Sequence, residues 1–185
     1  MGNLVINLIG GPGSGKSTIA AGLFYELKKR GYLCELVTEY AKDKVWEESY
    51  KTLDDQIYVF GKQFHRMFRV KDKVDIIITD SPLPLSIIYD KGESKYFHNF
   101  VIEQYNTFNN LMVFVERETK YEEEGRMQTE VEAIAIDNHI KNLLDSNKIE
   151  YICIPTTKVV EKIVKNIERN KHSNTNEHED TGDWC

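Results

Sequence analysis

The chain has 185 residues, a formal net charge of −6, and 41% hydrophobic and 29% charged residues, a composition typical of one globular domain with its own core. Its net acidity argues against indiscriminate binding to nucleic acid. No apolar run approaches the roughly 18 to 20 residues a membrane span needs.

The first apolar run, Leu4 to Ile9, is β-prone and leads directly into Gly10-Gly11-Pro12-Gly13-Ser14-Gly15-Lys16-Ser17-Thr18. From Gly10 to Ser17 this fits G-x-x-x-x-G-K-[ST], the phosphate-binding P-loop, and Ser17 to Arg30 follows with helical patterning. Strand, glycine loop and helix in that order aim backbone N–H groups and a helix N-terminus at bound phosphate. The expected ligand is a nucleoside triphosphate, ATP, carried with Mg²⁺. Lys16 reaches the β- and γ-phosphates and the Ser17 hydroxyl reaches the metal.

Leu33 to Thr38 reads as a second strand, ending in Thr38-Glu39-Tyr40. A carboxylate there lies across the cleft from Lys16, so Glu39 is a candidate general base. A helix-start acid favoured by the macrodipole would look the same locally. Leu53 to Val70 has amphipathic spacing, with Ile57, Phe60, Phe64, Met67 and Phe68 expected on the core side. Within it and just beyond, Lys62, Arg66, Arg69, Lys71 and Lys73 face only Asp72, a local net charge of +4. That segment is either a solvated helix face or a set of contacts to nucleic-acid phosphates.

Val74 to Thr79 is an apolar run suited to a strand buried on both faces, and Asp80 closes it in the Walker B manner, placed to hold Mg²⁺. A surface Asp after a buried strand is the plainer reading. Tyr96 to Thr107 is expected to be helical, Leu111 to Val115 to be the next strand, and Gln128 to Ser146 the next helix. Between them lies a charged segment, Glu116 to Arg126, read as a lid. Arg117 and Arg126 in it could stabilise charge on a transferring phosphoryl group, or pair with neighbouring glutamates. Ile149 to Ile154 and Thr156 to Glu168 complete the pattern as strand and helix, with the Pro155 to Lys158 turn placed where a nucleotide base would emerge.

Alternating strands and helices predict an α/β P-loop NTPase sandwich: a parallel, five-stranded sheet, helices on both faces and a helical lid. Residues 1–170 form this domain. Lys171 to Cys185 carries one Lys against Glu177, Glu179, Asp180 and Asp183, net −3, and reads as a disordered acidic tail. Cys34 and Cys153 lie in strand-like apolar runs and are expected as buried thiols; with Cys185 they form no C-x-x-C pair, which fits a reducing cytoplasm. Strand one begins too early to leave room for a signal peptide, and Ile6 stands where myristoylation wants Ser or Thr. The five histidines have no zinc-site spacing, and no D-x-x-G follows strand three, so a structural zinc site and a regulatory GTPase are not expected.

The P-loop, the acid after strand two, the Asp80 strand and the arginine segment together resemble the nucleoside and nucleotide kinases, the thymidylate kinase-like group among them. In the deoxynucleoside kinases an acid at that position is the base for the substrate hydroxyl, which implies that role for Glu39. A narrower set is similar to the phage-type P-loop kinases that include the 5-hydroxymethyluracil DNA kinases: Thr38-Glu39-Tyr40-Ala41-Lys42-Asp43 with Val45-Trp46-Glu47-Glu48, Asp55 to Phe60, Thr79-Asp80-Ser81-Pro82-Leu83 and Gly125-Arg126-Met127-Gln128-Thr129-Glu130. The Glu-Tyr-Ala segment also resembles ribosylnicotinamide kinases. The DNA-kinase resemblance implies transfer of the γ-phosphate to a hydroxymethyl group on a base in DNA, a step toward hypermodified thymine in the host cytoplasm. A free nucleoside or nucleotide acceptor is the alternative, and a nucleotide-gated ATPase without an acceptor a further one.

Overall fold

A computed structural model describes residues 3–92, 94–118 and 130–176. Five strands, β1 (Leu4–Ile9), β2 (Cys34–Val37), β3 (Ile76–Thr79), β4 (Asn109–Glu116) and β5 (Tyr151–Pro155), form one sheet in the order β2-β3-β1-β4-β5. Every pairing is parallel, with Val5 opposite Ile77 on one side and Asn110 on the other. Parallel strands need crossovers, which the helices supply. They are α1 (Lys16–Lys29), α2 (Tyr40–Trp46), α3 (Tyr50–Leu53), α4 (Gln56–Phe68), α5 (Leu85–Ile88), α6 (Lys95–Tyr105), α7 (Glu130–Ser146) and α8 (Val159–Asn176), the last preceded by a 3₁₀ turn at Thr156–Lys158.

The period of two along β1 divides the core. Val5 and Ile9 join a layer with Ile77, Met112 and Phe114, covered by Phe60 and Met67 of α4, Leu85 of α5, Val101 of α6 and Leu144 of α7. Ile6 and Leu8 face the opposite layer with Ile78 and Val113, covered by Leu23 and Leu27 of α1 and Ile163 of α8. The expected three-layer sandwich is therefore present. Phe60 is the hub of the first layer, with ring centroids 5.7 to 5.9 Å from Phe64, Phe97 and Phe100.

Several local expectations are corrected. On α4, Ile57 is 69% exposed and Phe68 56% exposed, while Gln56, Val59, Phe60, Gln63 and Met67 are buried. Positions 56, 59, 60, 63 and 67 share one helical stripe, and two of its members are glutamines that apolar spacing cannot reveal. Cys34 is buried as expected, but Cys153 is exposed. It lies on β5, an edge strand paired only to β4. The short helices α2, α3 and α5 carried no apolar period. Helix α8 continues to Asn176, past Glu168. Most of the expected lid, Arg126 included, and the last nine residues of the acidic tail lie outside the described residues.

Candidate functional site

The site forms where β1, β2 and β3 end. β1 releases the chain into the P-loop, whose Gly13 and Gly15 have φ of 76° and 83°, left-handed values that exclude most side chains. Gly15 is the N-cap of α1, so the helix N-terminus begins at Lys16. The Lys16 ammonium donates to the carbonyls of Gly10, at 2.8 Å, and Gly11, at 3.0 Å. Its pKa is lowered, chiefly by desolvation, while Glu39, Asp80 and Asp137 pull it back up.

Two braces hold the loop from behind. Thr156 donates its hydroxyl to the carbonyls of Glu116, at 2.7 Å, and Ser14, at 3.3 Å. The turn after β5, expected near a nucleotide base, thus also supports the P-loop itself. Arg117, at the exit of β4, donates to the Pro12 carbonyl at 2.7 Å and to Asp137 of α7 at 3.0 Å. The other Asp137 oxygen accepts the Gly11 N–H at 2.5 Å. A Cβ at Gly11 would come within 2.8 Å of Asp137 and of the Ala133 carbonyl, so only glycine admits α7 at this distance.

Asp137 was missed by sequence reasoning. It stands 126 positions from its partner, and its only signal was an acid in the opening turns of the helix after β4, at the strands' carboxyl ends. Arg117, read as a lid residue, bonds to the loop and to Asp137.

Glu39 is the N-cap of α2, but its side chain makes no capping bond. Its carboxyl is raised above the ordinary 4.5, first by desolvation and then by Asp80, while Lys16 opposes the rise. Asp80, 4% exposed, accepts the Glu39 backbone N–H at 3.1 Å and so fixes the position from which that carboxylate projects. The three groups expected to share the chemistry lie together: Glu39 and Asp80 both act on the charge of Lys16, and Lys16 and Asp80 on that of Glu39.

In front of them opens a cavity of about 440 Å³, within the usual size of a small-ligand site. Gly10, Pro12, Gly13 and Lys16 of the P-loop line it with Glu39, and so do Ala41, Val45, Leu53, Gln56, Val59, Leu85 and Tyr89. Desolvation and the Glu39 charge push the Tyr89 phenol up to about 12, so it stays a neutral hydrogen-bonding group. Gln63, 3% exposed, also lines the cavity. Trp46, Tyr50 and Tyr58, on the helices around it, are exposed.

The basic segment is partly committed internally. Arg66 pairs with Asp43, donates to the Thr38 carbonyl at 3.2 Å and lies 5.2 Å from the Tyr40 ring centroid. Lys71 donates to the Thr107 carbonyl at 3.1 Å. Among the described residues no three His, Cys, Asp or Glu side chains gather as a metal site. A Ser17 hydroxyl and the Asp80 carboxylate nevertheless suit Mg²⁺, which keeps most of its shell as water and phosphate oxygen. Ser17 is exposed beside the P-loop, and Asp80 is held in place by a backbone N–H.

The sequence model of a family described as an AAA domain matches residues 5–162. No match was found among curated proteins. Among solved structures, the NadR protein in complex with NR is similar with a TM-score of 0.64 at 15% identity, covering 82% of this chain and 45% of its own. This chain thus spans less than half of NadR. Thymidylate kinase from Ehrlichia chaffeensis has a TM-score of 0.63 at 14% identity, covering 90% of this chain and 100% of its own. Deoxyadenosine kinase from M. mycoides with bound dATP has a TM-score of 0.53 at 21% identity, covering 89% and 98%. At these identities the likeness is one of fold.

Proposed function

The chain belongs to that AAA-domain family of P-loop proteins, and on that premise we propose that it is an ATP- and Mg²⁺-dependent kinase acting on a hydroxyl acceptor. The observation that carries this reading is the single cavity whose wall includes both the P-loop lysine, Lys16, and the desolvated carboxylate, Glu39. A hydrolase needs room beside the carboxylate only for water, whereas a cavity of about 440 Å³ has room for an acceptor the size of a nucleoside.

In the reaction the acceptor hydroxyl oxygen forms a bond to the γ-phosphorus as the bond to the β–γ bridging oxygen breaks. Glu39 takes the hydroxyl proton, and ADP leaves with the bridging oxygen. Lys16 and the loop N–H groups offset the charge on the phosphoryl oxygens. Arg117 keeps the loop in shape and adds positive charge beside it. Arg126 is proposed as a second cation on the transferring group. Ser17 and Asp80 would hold Mg²⁺, which supplies further charge neutralisation.

For the acceptor we favour the hydroxymethyl group of a modified uracil in DNA, on the resemblance at Thr38 to Asp43, Val45 to Glu48, Asp55 to Phe60, Thr79 to Leu83 and Gly125 to Glu130. The cavity takes one base, so a duplex must extrude it. Exposed Trp46, Tyr50 and Tyr58 offer stacking surfaces to the neighbouring nucleotides. A free nucleoside is the second reading, favoured by the 440 Å³ volume and by the internal commitment of Arg66 and Lys71.

The test uses γ-labelled ATP with hydroxymethyluracil-containing duplex, plain duplex and a panel of nucleosides. Label on the modified duplex alone supports the DNA acceptor; label only on small acceptors replaces it with the second reading. Phosphate release with no acceptor labelled overturns the kinase. Glu39→Gln should lower turnover by about 10² to 10⁴ with ATP affinity retained; near-normal turnover would remove Glu39 as the base.

A further inference from the structure

Two opposite charges meet where the acceptor cavity opens to solvent. The Lys91 ammonium donates to the Asp54 carboxylate at 2.6 Å, and both residues line the cavity. Their side chains are 80% and 60% exposed, whereas Ser81, Leu85 and Ser86 on the same lining are buried. The pair therefore stands at the opening. Asp54 closes α3 and Lys91 follows α5, so the contact joins two turns.

Among the described residues lining the cavity, Lys16 and Lys91 are the two cations. Lys16 is committed to the P-loop, where it donates to two carbonyls. Lys91 is held differently. Its neighbour Asp90 accepts the N–H groups of Gly92, at 3.1 Å, and Ser94, at 3.3 Å, and pairs with His98 at 3.0 Å. Those bonds fold the backbone around Lys91 and occupy the adjacent carboxylate. Asp54 is thus the acid that Lys91 meets, and an exposed pair of this kind is weak and screened by salt. An anion arriving with the substrate can take the place of Asp54 at little cost.

The acceptor's size decides which anion that is. Its hydroxyl lies beside Lys16 and Glu39, and a cavity of about 440 Å³ holds a base with its sugar, not a strand. When the reacting group is on the base, a phosphate carried by the sugar is left at the opening. We propose that Lys91 binds a phosphate attached to the acceptor's sugar, with Asp54 as the competitor that holds the lysine until that phosphate arrives. The ligand is a phosphodiester if the acceptor is DNA and a 5′-phosphomonoester if it is a free nucleotide. An unphosphorylated nucleoside leaves the pair closed. This rests on the kinase reading for where the acceptor lies, but binding can be measured without transfer.

The full chain, with Mg²⁺ and a non-hydrolysable ATP analogue in saturating amounts, is titrated at low salt with three compounds. They are 5-hydroxymethyl-2′-deoxyuridine, its 5′-monophosphate and a short single-stranded oligonucleotide carrying the same base. A phosphate-bearing compound should bind about fivefold or more tighter than the nucleoside. Tighter binding of the monophosphate identifies a nucleotide; tighter binding of the oligonucleotide alone identifies DNA. Lys91→Gln should bring that ratio close to one and lower the salt slope of oligonucleotide binding by about 0.7. Asp54→Asn should widen the ratio, because it frees the lysine and removes a repelling charge. A pair that only ties two turns together would respond alike to both variants, so changes of the same sign overturn the assignment. Equal affinities for all three compounds, no binding of any, or a phosphate preference that survives Lys91→Gln overturn it as well. A phosphate preference without transfer of label to any acceptor leaves Lys91 in its role and removes the kinase; transfer without that preference does the reverse.

Discussion

Where the P-loop lines the cavity, backbone presents the chemistry; where α2, α3, α4 and α5 line it, side chains do. The loop's N–H groups and carbonyls are positioned by β1, by the Thr156 hydroxyl and by the Arg117–Asp137 pair. The helical wall depends on Ala41, Val45, Val59 and Leu85 for its shape and on Gln63 and Tyr89 for polarity. A ligand phosphate is the same in every nucleotide, so a fixed backbone cradle serves it. An acceptor varies between enzymes, and a wall of replaceable side chains can change without disturbing the cradle. The two parts should therefore fail differently when altered.

The largest effect is expected at the cradle. Lys16→Ala should lower turnover by about a thousandfold, because the developing phosphoryl charge loses its fixed cation; radiolabel transfer measures it. Loss of only a few-fold would place the reacting phosphate elsewhere. Arg117→Ala should come next. Its side chain is 10% exposed, and its loss removes a hydrogen-bond donor from Asp137 and from the Pro12 carbonyl. ATP should bind about tenfold or more weakly by titration, with acceptor affinity unchanged. Asp137→Asn should be milder, since an amide oxygen can still accept the Gly11 N–H.

On the helical wall, Val59→Phe should raise the acceptor KM by roughly tenfold while leaving the ATP KM alone, because it fills the cavity without touching the loop. An equal change in both constants would join the two parts into one unit. The smallest effect is on pH dependence. Glu39 must be ionised to take a proton, and its pKa is raised above 4.5, so the acid limb of acceptor kcat/KM should fall above the ordinary glutamate range and be absent from residual Glu39→Gln activity. The same shift has a stability counterpart. Ionised Glu39 disfavours the fold above its raised pKa and not below 4.5, so Glu39→Gln should melt higher than wild type at pH 8 and equally at pH 4.

This division also explains what the sequence could reveal. The P-loop, Asp80 and Glu39 sit in contiguous strand-to-turn segments, where the period of two and a fixed motif place them at the carboxyl ends of neighbouring strands. Gln63 and Asp137 owe their positions to partners 23 and 126 residues away, and no local period announces such pairs. Ile57 and Phe68 were assigned to the core because apolar identity outweighed helical phase. The stripe that α4 buries is shifted by one position and includes two amides that line the cavity. Cys153 failed for a topological reason: the composition of a strand does not say that it will stand at an edge.

β1 is the middle strand of five, flanked by β3 and β4 and covered by helices on both faces. Amide hydrogens of Val5 to Ile9 should consequently exchange with solvent only when the whole molecule unfolds, while those of α2 and α3 exchange through brief local opening. The phosphate cradle inherits the rigidity of the slowest-exchanging strand, and the acceptor wall can breathe to admit a substrate without loosening it.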